Sequence, residues 1–231
     1  DHCGGDWWGF VELERPNLSP LVLLMIGDVT GHGTSSALVS ATVRGGLSIL
    51  ENWLKSGLNL DPREINRYFN SVVFQAAKGS IGMTFFTAVI DSEKNEIYCS
   101  NAGHNFPYIL APDETGIFQI KPIGSSGTPL GYQENTIYED IDTYSWPPGS
   151  RMFLYTDGLT ECVQDGVNLF DRKQLRKLLI EHSHLGAANL LSRILSARDQ
   201  RIGNFPPYDD VTVVVFEDLS TNRLSKIEGE M

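Results

Sequence analysis

The spacing of apolar residues changes along this chain of 231 residues, and the change limits the folds that the chain can adopt. Residues 7–15 and 21–28 have the pattern of two strands, and the unbroken apolar run 21–26 predicts a central strand buried on both faces. Two helices are predicted next, at about 35–55 and 62–78, because apolar residues recur there at helical spacing. The remaining patterns predict strands at 83–91, 96–101, 108–111, 136–146 and 151–155, a third helix after Asp171, a fourth around 190–195, and a last strand at 211–216.

The order of these elements does not alternate between strand and helix as a parallel doubly wound sheet does. It predicts instead an α+β fold, in which antiparallel strands are covered by helix pairs. The second helix is expected to begin with Asp61 as N-cap, Pro62 as first residue and Glu64 as capping-box partner. A second capping box is expected between Asp171 and Gln174 at the start of the third helix.

The charge balance argues against one class of function. The chain carries 29 acidic and 18 basic residues, a net charge of −11. A nucleic-acid-binding surface needs cationic side chains to neutralise phosphates, so no nucleic-acid partner is expected. Carboxylates are, in contrast, the natural ligands of hard divalent cations. No apolar run approaches the ~20 residues of a membrane span, so no membrane contact is expected either.

The three cysteines, Cys3, Cys99 and Cys162, are odd in number and far apart. They contain no C-x-x-C pair, which argues against a disulfide framework and a structural zinc site. We therefore expect a reducing compartment, the cytoplasm. Cys162 has no histidine or basic residue beside it in the sequence, and this favours an inert thiol.

Aspartates recur where apolar strands begin or end. They are Asp6, Asp28, Asp157, and the pair Asp209 and Asp210. A carboxylate beside a core strand needs hydrogen bonds, a cation or protonation to offset its desolvation. Any one of them could be a turn former, but four such sites that converged would require a divalent metal. Ligation by oxygen alone selects Mg²⁺ or Mn²⁺ over zinc or copper.

The segment 27–36, Gly-Asp-Val-Thr-Gly-His-Gly-Thr-Ser-Ser, imitates a dinucleotide-binding turn because it follows a strand and opens a helix. Three features argue against that interpretation. Ser36 stands at the third glycine position, Asp28 would repel a pyrophosphate, and a second helix follows where the motif requires a parallel strand. Ser35 and Ser36 are expected to cap the first helix.

Six motifs in order carry a resemblance to a known family. They are Gly-Gly-Asp at 4–6, Gly-Asp-Val-Thr-Gly-His-Gly at 27–33, Asn-Ala-Gly-His-Asn at 101–105, Thr-Pro-Leu-Gly at 128–131, Tyr-Thr-Asp-Gly-Leu-Thr-Glu at 155–161 and Asp-Asp-Val-Thr at 209–212. Together they resemble the PPM/PP2C-type serine/threonine phosphatases of the bacterial SpoIIE/RsbU branch. The resemblance covers residues 4–216 and implies a PP2C-like antiparallel β-sandwich flanked by helix pairs. We expect a phosphatase domain over 1–218 that is N-terminally truncated, since the strand that usually precedes Gly-Gly-Asp is missing, and a tail over 219–231.

The resemblance also implies a metal site with two Mn²⁺ or Mg²⁺ ions. Asp28 resembles the aspartate that bridges both ions, and the Val29 carbonyl completes the coordination of one. Asp6 resembles a ligand of the second ion, so that Asp28 and Asp6 are the expected catalytic pair. Asp157 and Asp209 resemble ligands of the first ion, and a water activated between the ions would attack the phosphorus in line.

Other candidates rank lower. Asp210 stands where eukaryotic relatives have asparagine, so it ranks below Asp209. His32 could donate a proton to the leaving seryl oxygen, although it lies in a glycine turn. His104 is expected to lock a hairpin turn more than to bind metal. The basic residues of the third helix are expected to form a solvated face; they are Arg172, Lys173, Arg176 and Lys177.

Two functions from different classes remain. The first is hydrolysis of phosphoserine or phosphothreonine on a partner protein, which the resemblance implies to be an anti-sigma-factor antagonist. It also implies a sensor or receiver module upstream, and it leaves a homodimer open. The alternative is a phosphatase fold that is catalytically weak and only binds a partner protein. The presence of Asp6, Asp28, Asp157 and Asp209 favours the enzyme.

Overall fold

The computed structural model describes residues 4–31, 33–57, 60–164, 166–203 and 209–219. They form two compact units, each made of two stretches of the chain. Unit 1 comprises the described residues up to Asn105 together with Gly124–Ser145. Unit 2 comprises Phe106–Ile123 and the described residues from Trp146 onward. The elements are β1 (Trp7–Arg15), β2 (Leu18–Val29), α1 (Thr34–Lys55), α2 (Pro62–Ala77), β3 (Met83–Asp91), β4 (Glu96–Ala102), β5 (Tyr108–Pro112), β6 (Phe118–Pro122), β7 (Asp142–Ser145), β8 (Arg151–Tyr155), β9 (Val163–Gln164), β10 (Val167–Asn168), α3 (Arg172–Glu181), α4 (Ala187–Ile202) and β11 (Val213–Glu217).

Unit 1 is a five-stranded antiparallel sheet in the order β1-β2-β3-β4-β7, with α1 and α2 packed against it. The predicted central strand is confirmed, because β2 lies between β1 and β3 and its residues 22–26 are buried. The core between sheet and helices includes a cluster of aromatic rings from Trp7, Phe69 and Phe85, whose centroids lie 5.0–5.9 Å apart. The cluster joins the first strand of the sheet to α2 and β3.

Unit 2 is a four-stranded antiparallel sheet in the order β11-β8-β5-β6, with a two-residue hairpin of β9 and β10. Helix α4 packs on β11, and α3 contacts β6 and α4. Their apolar faces close a second core with the sheet, which includes Tyr108, Phe153, Leu175, Leu190 and Ile194. Each unit therefore pairs an antiparallel sheet with two helices, as the α+β prediction requires.

The helix caps predicted from the sequence are confirmed only in part. Asp171 and Gln174 form the expected capping box of α3. Asp61 caps α2 through the backbone N–H of Arg63, but Glu64 forms an ion pair with Arg67 instead of a capping box. The predicted box at α2 was therefore wrong in its second half, because an arginine three residues on competes for the glutamate.

The capping role predicted for Ser35 and Ser36 was also wrong. The N-cap of α1 is Gly33, with φ of +92° and no side-chain hydrogen bond to the helix. That backbone conformation strongly favours glycine, so the helix begins at Thr34 and both serines lie within its first turn. Ser36 is buried there.

The strand predicted at 136–146 is shorter in the structure, and another strand was not predicted. Of 136–146, only Asp142–Ser145 pairs with a neighbouring strand. The residues before it contact α2 instead, where Arg63 donates to the Glu139 carbonyl and Arg67 to the Tyr138 carbonyl, both at 3.4 Å. Strand β6 was not predicted, since it lies at the sheet edge and has little buried surface to give a pattern. Within the described part of the chain, no helix is long and apolar enough to cross a membrane.

Candidate metal centre

The first aspartate pair lies at one edge of unit 1. Trp7 pairs with Gly27 across β1 and β2, and the same antiparallel register brings residues 6 and 28 to adjacent positions. Both aspartates are half-buried. The sheet therefore brings Asp6 and Asp28 together, although 21 residues of the chain separate them.

Gly5 shows where the oxygen atoms around this pair converge. A Cβ on Gly5 would lie 3.0 Å from the Val29 carbonyl oxygen, 3.4 Å from Asp28 Oδ1 and 3.5 Å from the Gly31 carbonyl oxygen. The missing side chain leaves a small cradle lined by oxygen. The Gly5 carbonyl is itself fixed, because Ser40 of α1 donates its hydroxyl to it at 2.7 Å and the Val29 N–H lies 3.4 Å away.

A hydrogen bond between Thr84 and His104, which the sequence did not predict, lies beside Asp28. Asp28 of β2 pairs with Thr84 of β3, whose hydroxyl shares a 2.8 Å hydrogen bond with Nδ1 of His104. The backbone of His104 is held by Asn101, which accepts its N–H at 2.7 Å and donates to its carbonyl at 3.0 Å. This geometry fits the predicted role of His104 in locking a turn. Thr84 lies between the two residues, since it bonds to His104 and pairs with Asp28.

The second aspartate set lies in unit 2. The Thr156 N–H donates to the Thr212 carbonyl at 3.0 Å, and the Thr212 N–H donates to the Thr156 hydroxyl at 2.9 Å. These bonds bring the turn that starts at Asp157 against the segment 209–212. Asp209 adjoins this contact, since its Oδ1 accepts the Asp210 N–H at 2.8 Å.

In the described ranges, no group of three or more histidine, cysteine, aspartate or glutamate side chains has the spacing of a complete metal site. His32 lies outside the described residues, and so does Cys3. The oxygen atoms around Gly5 come from the Asp28 carboxylate and the Val29 and Gly31 carbonyls. Oxygen ligands fit Mg²⁺ or Mn²⁺ and do not fit zinc or copper.

The environment of Cys162 differs from the expectation drawn from its sequence neighbours. Its thiol is buried, but Nη2 of Arg198 lies 3.4 Å from Sγ. The arginine comes from α4, 36 positions further along the chain, so local sequence held no sign of it. The basic residues of α3, by contrast, are all exposed, as predicted.

One protein-family model matches most of the length of this chain. The family model described as "Stage II sporulation protein E (SpoIIE)" matches residues 20–217. The phosphoserine phosphatase RsbU of Bacillus subtilis (strain 168) is 24% identical over 211 residues, which are 91% of this chain and 58% of RsbU. The chain thus spans less than two thirds of the length of that relative.

Solved structures of low sequence identity share the fold. The SiaA-PP2C domain of Pseudomonas aeruginosa superposes with a TM-score of 0.74 at 18% identity, over 93% of this chain and 80% of that one. RsbX in complex with magnesium gives a TM-score of 0.59 at 16% identity, over 93% of this chain and 87% of that one. The predicted α+β fold of PP2C type is confirmed by these similarities.

Proposed function

This chain belongs to the SpoIIE family, and we propose that it hydrolyses phosphoserine or phosphothreonine on a partner protein with the help of bound divalent metal. The observation that carries the proposal is the oxygen cradle at Gly5, toward which the Asp28 carboxylate and the Val29 carbonyl both point, next to Asp6. The family match and the name of RsbU, a phosphoserine phosphatase, support the reaction type.

We assign the metal to the residues that the family resemblance indicates. Asp28, Asp6 and the Val29 carbonyl would hold Mn²⁺ or Mg²⁺ in unit 1, and two ions are proposed in all. Asp157 and Asp209 would contribute from unit 2, and Asp210 ranks below Asp209. The neighbour solved with magnesium supports a divalent ion.

Bound metal would lower the pKa of a water and neutralise charge on the transferring phosphoryl group. The chain's own part is to hold the ligands rigid before the substrate arrives. In unit 1 the strand register and the Ser40 hydrogen bond fix Gly5 beside Asp28, while Thr84 and His104 support the strand behind it. None of these groups is required to act as a nucleophile. His32 remains the proposed donor of a proton to the leaving seryl oxygen.

The proposed substrate is a phosphorylated anti-sigma-factor antagonist, the class that the resemblance implies. We propose also that a sensor or receiver module regulates this domain in the full-length protein, and that the reaction takes place in the cytoplasm. Pull-down with a phosphorylated candidate antagonist and with its unphosphorylated form tests the substrate. Binding that depends on the phosphate supports it, and equal binding of both forms contradicts it.

The reaction is tested by hydrolysis of p-nitrophenyl phosphate and of a phosphoserine protein with Mn²⁺, with Mg²⁺ and with EDTA. We expect activity that EDTA abolishes and that either metal restores. Asp28→Asn should lose the activity while its circular dichroism spectrum is unchanged, and the exposed Asp140→Asn serves as the matched control. Full activity in EDTA would contradict the metal mechanism. Partner binding without hydrolysis under every metal condition would favour the alternative, a phosphatase fold that only binds.

A further inference from the structure

Helix α4 carries an arginine on the face that it buries. Its buried residues are Leu190, Ile194 and Arg198, spaced four apart, so the arginine continues the stripe that packs into the core of unit 2. Arg198 is only 9% exposed. Burying a guanidinium is costly unless hydrogen bonds satisfy it, and an apolar residue would continue the stripe without that cost.

Within the core, the guanidinium of Arg198 contacts the chain around Gly158 and Cys162. Nη2 donates to the Gly158 carbonyl at 3.2 Å and lies 3.4 Å from Cys162 Sγ. Nη1 lies 3.4 Å from Asp199, whose side chain is 69% exposed, so this ion pair offsets little of the desolvation. Nε is buried and has no hydrogen-bond partner among the residues that the structure describes. The contact with Gly158 is therefore the main polar interaction of Arg198 in the interior.

Gly158 is the middle residue of the 3-10 turn Asp157–Leu159. The Asp157 carbonyl accepts the N–H groups of Thr160 and Glu161, both at 2.8 Å, while the Gly158 carbonyl is held by Arg198 and by the Cys162 thiol. A glycine has more backbone freedom than any other residue. The guanidinium thus holds the carbonyl of the residue that directly follows Asp157 in the turn.

We propose that Arg198 is a positioning residue for Asp157: through the Gly158 carbonyl it fixes the turn in the orientation that metal binding needs. The inference rests on the proposed function, because it takes Asp157 as a ligand. It explains why α4 retains a costly buried charge. Residues that only support metal ligands typically change metal affinity by about 10–100-fold when they are replaced.

Three variants test the proposal in the same background. Arg198→Met keeps the length of the side chain and removes the donors, and Arg198→Lys keeps one charged donor group. Arg193→Met, on the exposed face of α4, is the matched control. Mn²⁺ affinity is measured by titration calorimetry, stability by thermal unfolding, and the turn by hydrogen exchange of the Thr160 and Glu161 amides.

We expect Arg198→Met to melt no lower than the control, since an apolar residue of similar volume often replaces a buried charge without loss of stability. Its Mn²⁺ dissociation constant should rise by at least about tenfold, and the two amides should exchange at least about tenfold faster. Arg198→Lys should lie between this variant and wild type. Wild-type affinity and wild-type exchange in Arg198→Met would overturn the proposal.

Two further outcomes are also decisive. If Arg198→Met does not fold, Arg198→Lys decides: weaker Mn²⁺ binding at an unchanged melting temperature supports the proposal, and unchanged binding overturns it. If wild type itself binds no Mn²⁺, the proposed function fails, and Asp157 as a ligand fails with it. The exchange of the Thr160 and Glu161 amides then still shows whether Arg198 holds the turn.

Discussion

The α carbon of Gly158 lies so close to the backbone of Asp210 that a Cβ at residue 158 would be 2.0 Å from the Asp210 carbonyl oxygen. No real Cβ tolerates that distance, and the atom that it meets is backbone, which cannot rotate away as a side chain can. A substitution at Gly158 must therefore displace the turn that starts at Asp157 or the segment that contains Asp209. Both carry proposed metal ligands.

Gly158→Ala should accordingly lower both stability and metal affinity. We expect a loss of about 1–3 kcal/mol in the free energy of unfolding, the usual cost of overpacking, together with weaker Mn²⁺ binding. Urea unfolding and calorimetric titration measure the two effects. Gly45→Ala is the control, because a Cβ on this helical glycine of α1 would meet no atom within 4 Å beyond its own stretch of helix backbone; it should stabilise by about 0.5–1 kcal/mol. Wild-type stability and affinity in Gly158→Ala would contradict the contact.

Amide variants distinguish the roles of the two neighbouring aspartates of unit 2, Asp209 and Asp210. Asp209→Asn keeps an Oδ1 that can still accept the Asp210 N–H, so any loss reports the missing charge rather than the missing hydrogen bond. We expect Mn²⁺ affinity to fall by more than the roughly 10–100-fold typical of residues that only support ligands. Asp210→Asn should have the milder effect. The reverse order in calorimetric titration would make Asp210 the ligand.

Cys99 should be inert in the folded protein. Burial, and secondarily the charge of Asp142 opposite it on β7, raises the pKa of its thiol to about 12. Thiolate is the reactive species, so at pH 8 iodoacetamide should label Cys99 only when the sheet opens. Peptide mass spectrometry should show a labelling rate that follows unfolding as urea is added. A cysteine introduced at the exposed Ser71 is the control and should react at once; equally fast labelling of Cys99 would contradict its burial.

The sequence predicted those parts of the fold that depend on periodicity and local chemistry. The run 21–26 is apolar at every position, which is typical of a strand buried on both faces, and the capping box of Asp171 involves residues three apart. Where a partner comes from far along the chain, local pattern carries no information. The residues before β7 contact α2, where Arg63 and Arg67 donate to the Glu139 and Tyr138 carbonyls, and both arginines lie more than seventy positions earlier in the chain.

In the candidate site, too, residues in local motifs could be predicted, whereas residues that act through distant contacts could not. Asp28 and Asp157 could be found because each adjoins a glycine at the end of an apolar strand, and because the motifs around them resemble a family. Thr84 and Arg198 could not be found, since each acts through a tertiary contact, one with His104 and one with the Gly158 carbonyl. An arginine on a helical stripe of leucine and isoleucine is the one sequence sign of such a role, because that stripe ordinarily stays apolar.

A buried ion pair in unit 1 gives a prediction about pH. Asp91, at the end of β3, is 2% exposed and accepts two hydrogen bonds from Arg15 at 2.8 and 3.2 Å, while Lys94 lies 3.7 Å away. Burial raises the pKa of the Asp91 carboxyl, but the hydrogen bonds and charge of Arg15, with the charge of Lys94, outweigh it and hold the pKa below its ordinary value. The ionised carboxylate therefore stabilises the folded state.

Asp91→Asn should lower the free energy of unfolding by roughly 2 kcal/mol near pH 7, less than the ~3–5 kcal/mol of fully buried pairs because Arg15 is 21% exposed. A depressed pKa stabilises at every pH above the unfolded value of ~3.9, and this contribution is lost as pH falls through the folded value. The difference between wild type and Asp91→Asn should thus be constant from pH 7 to about 5 and shrink below about pH 4. Urea unfolding at each pH measures it, with the exposed Glu114→Gln as control. A difference that grows toward acid would mean that the carboxyl is protonated more readily in the folded state, contrary to the Arg15 contact.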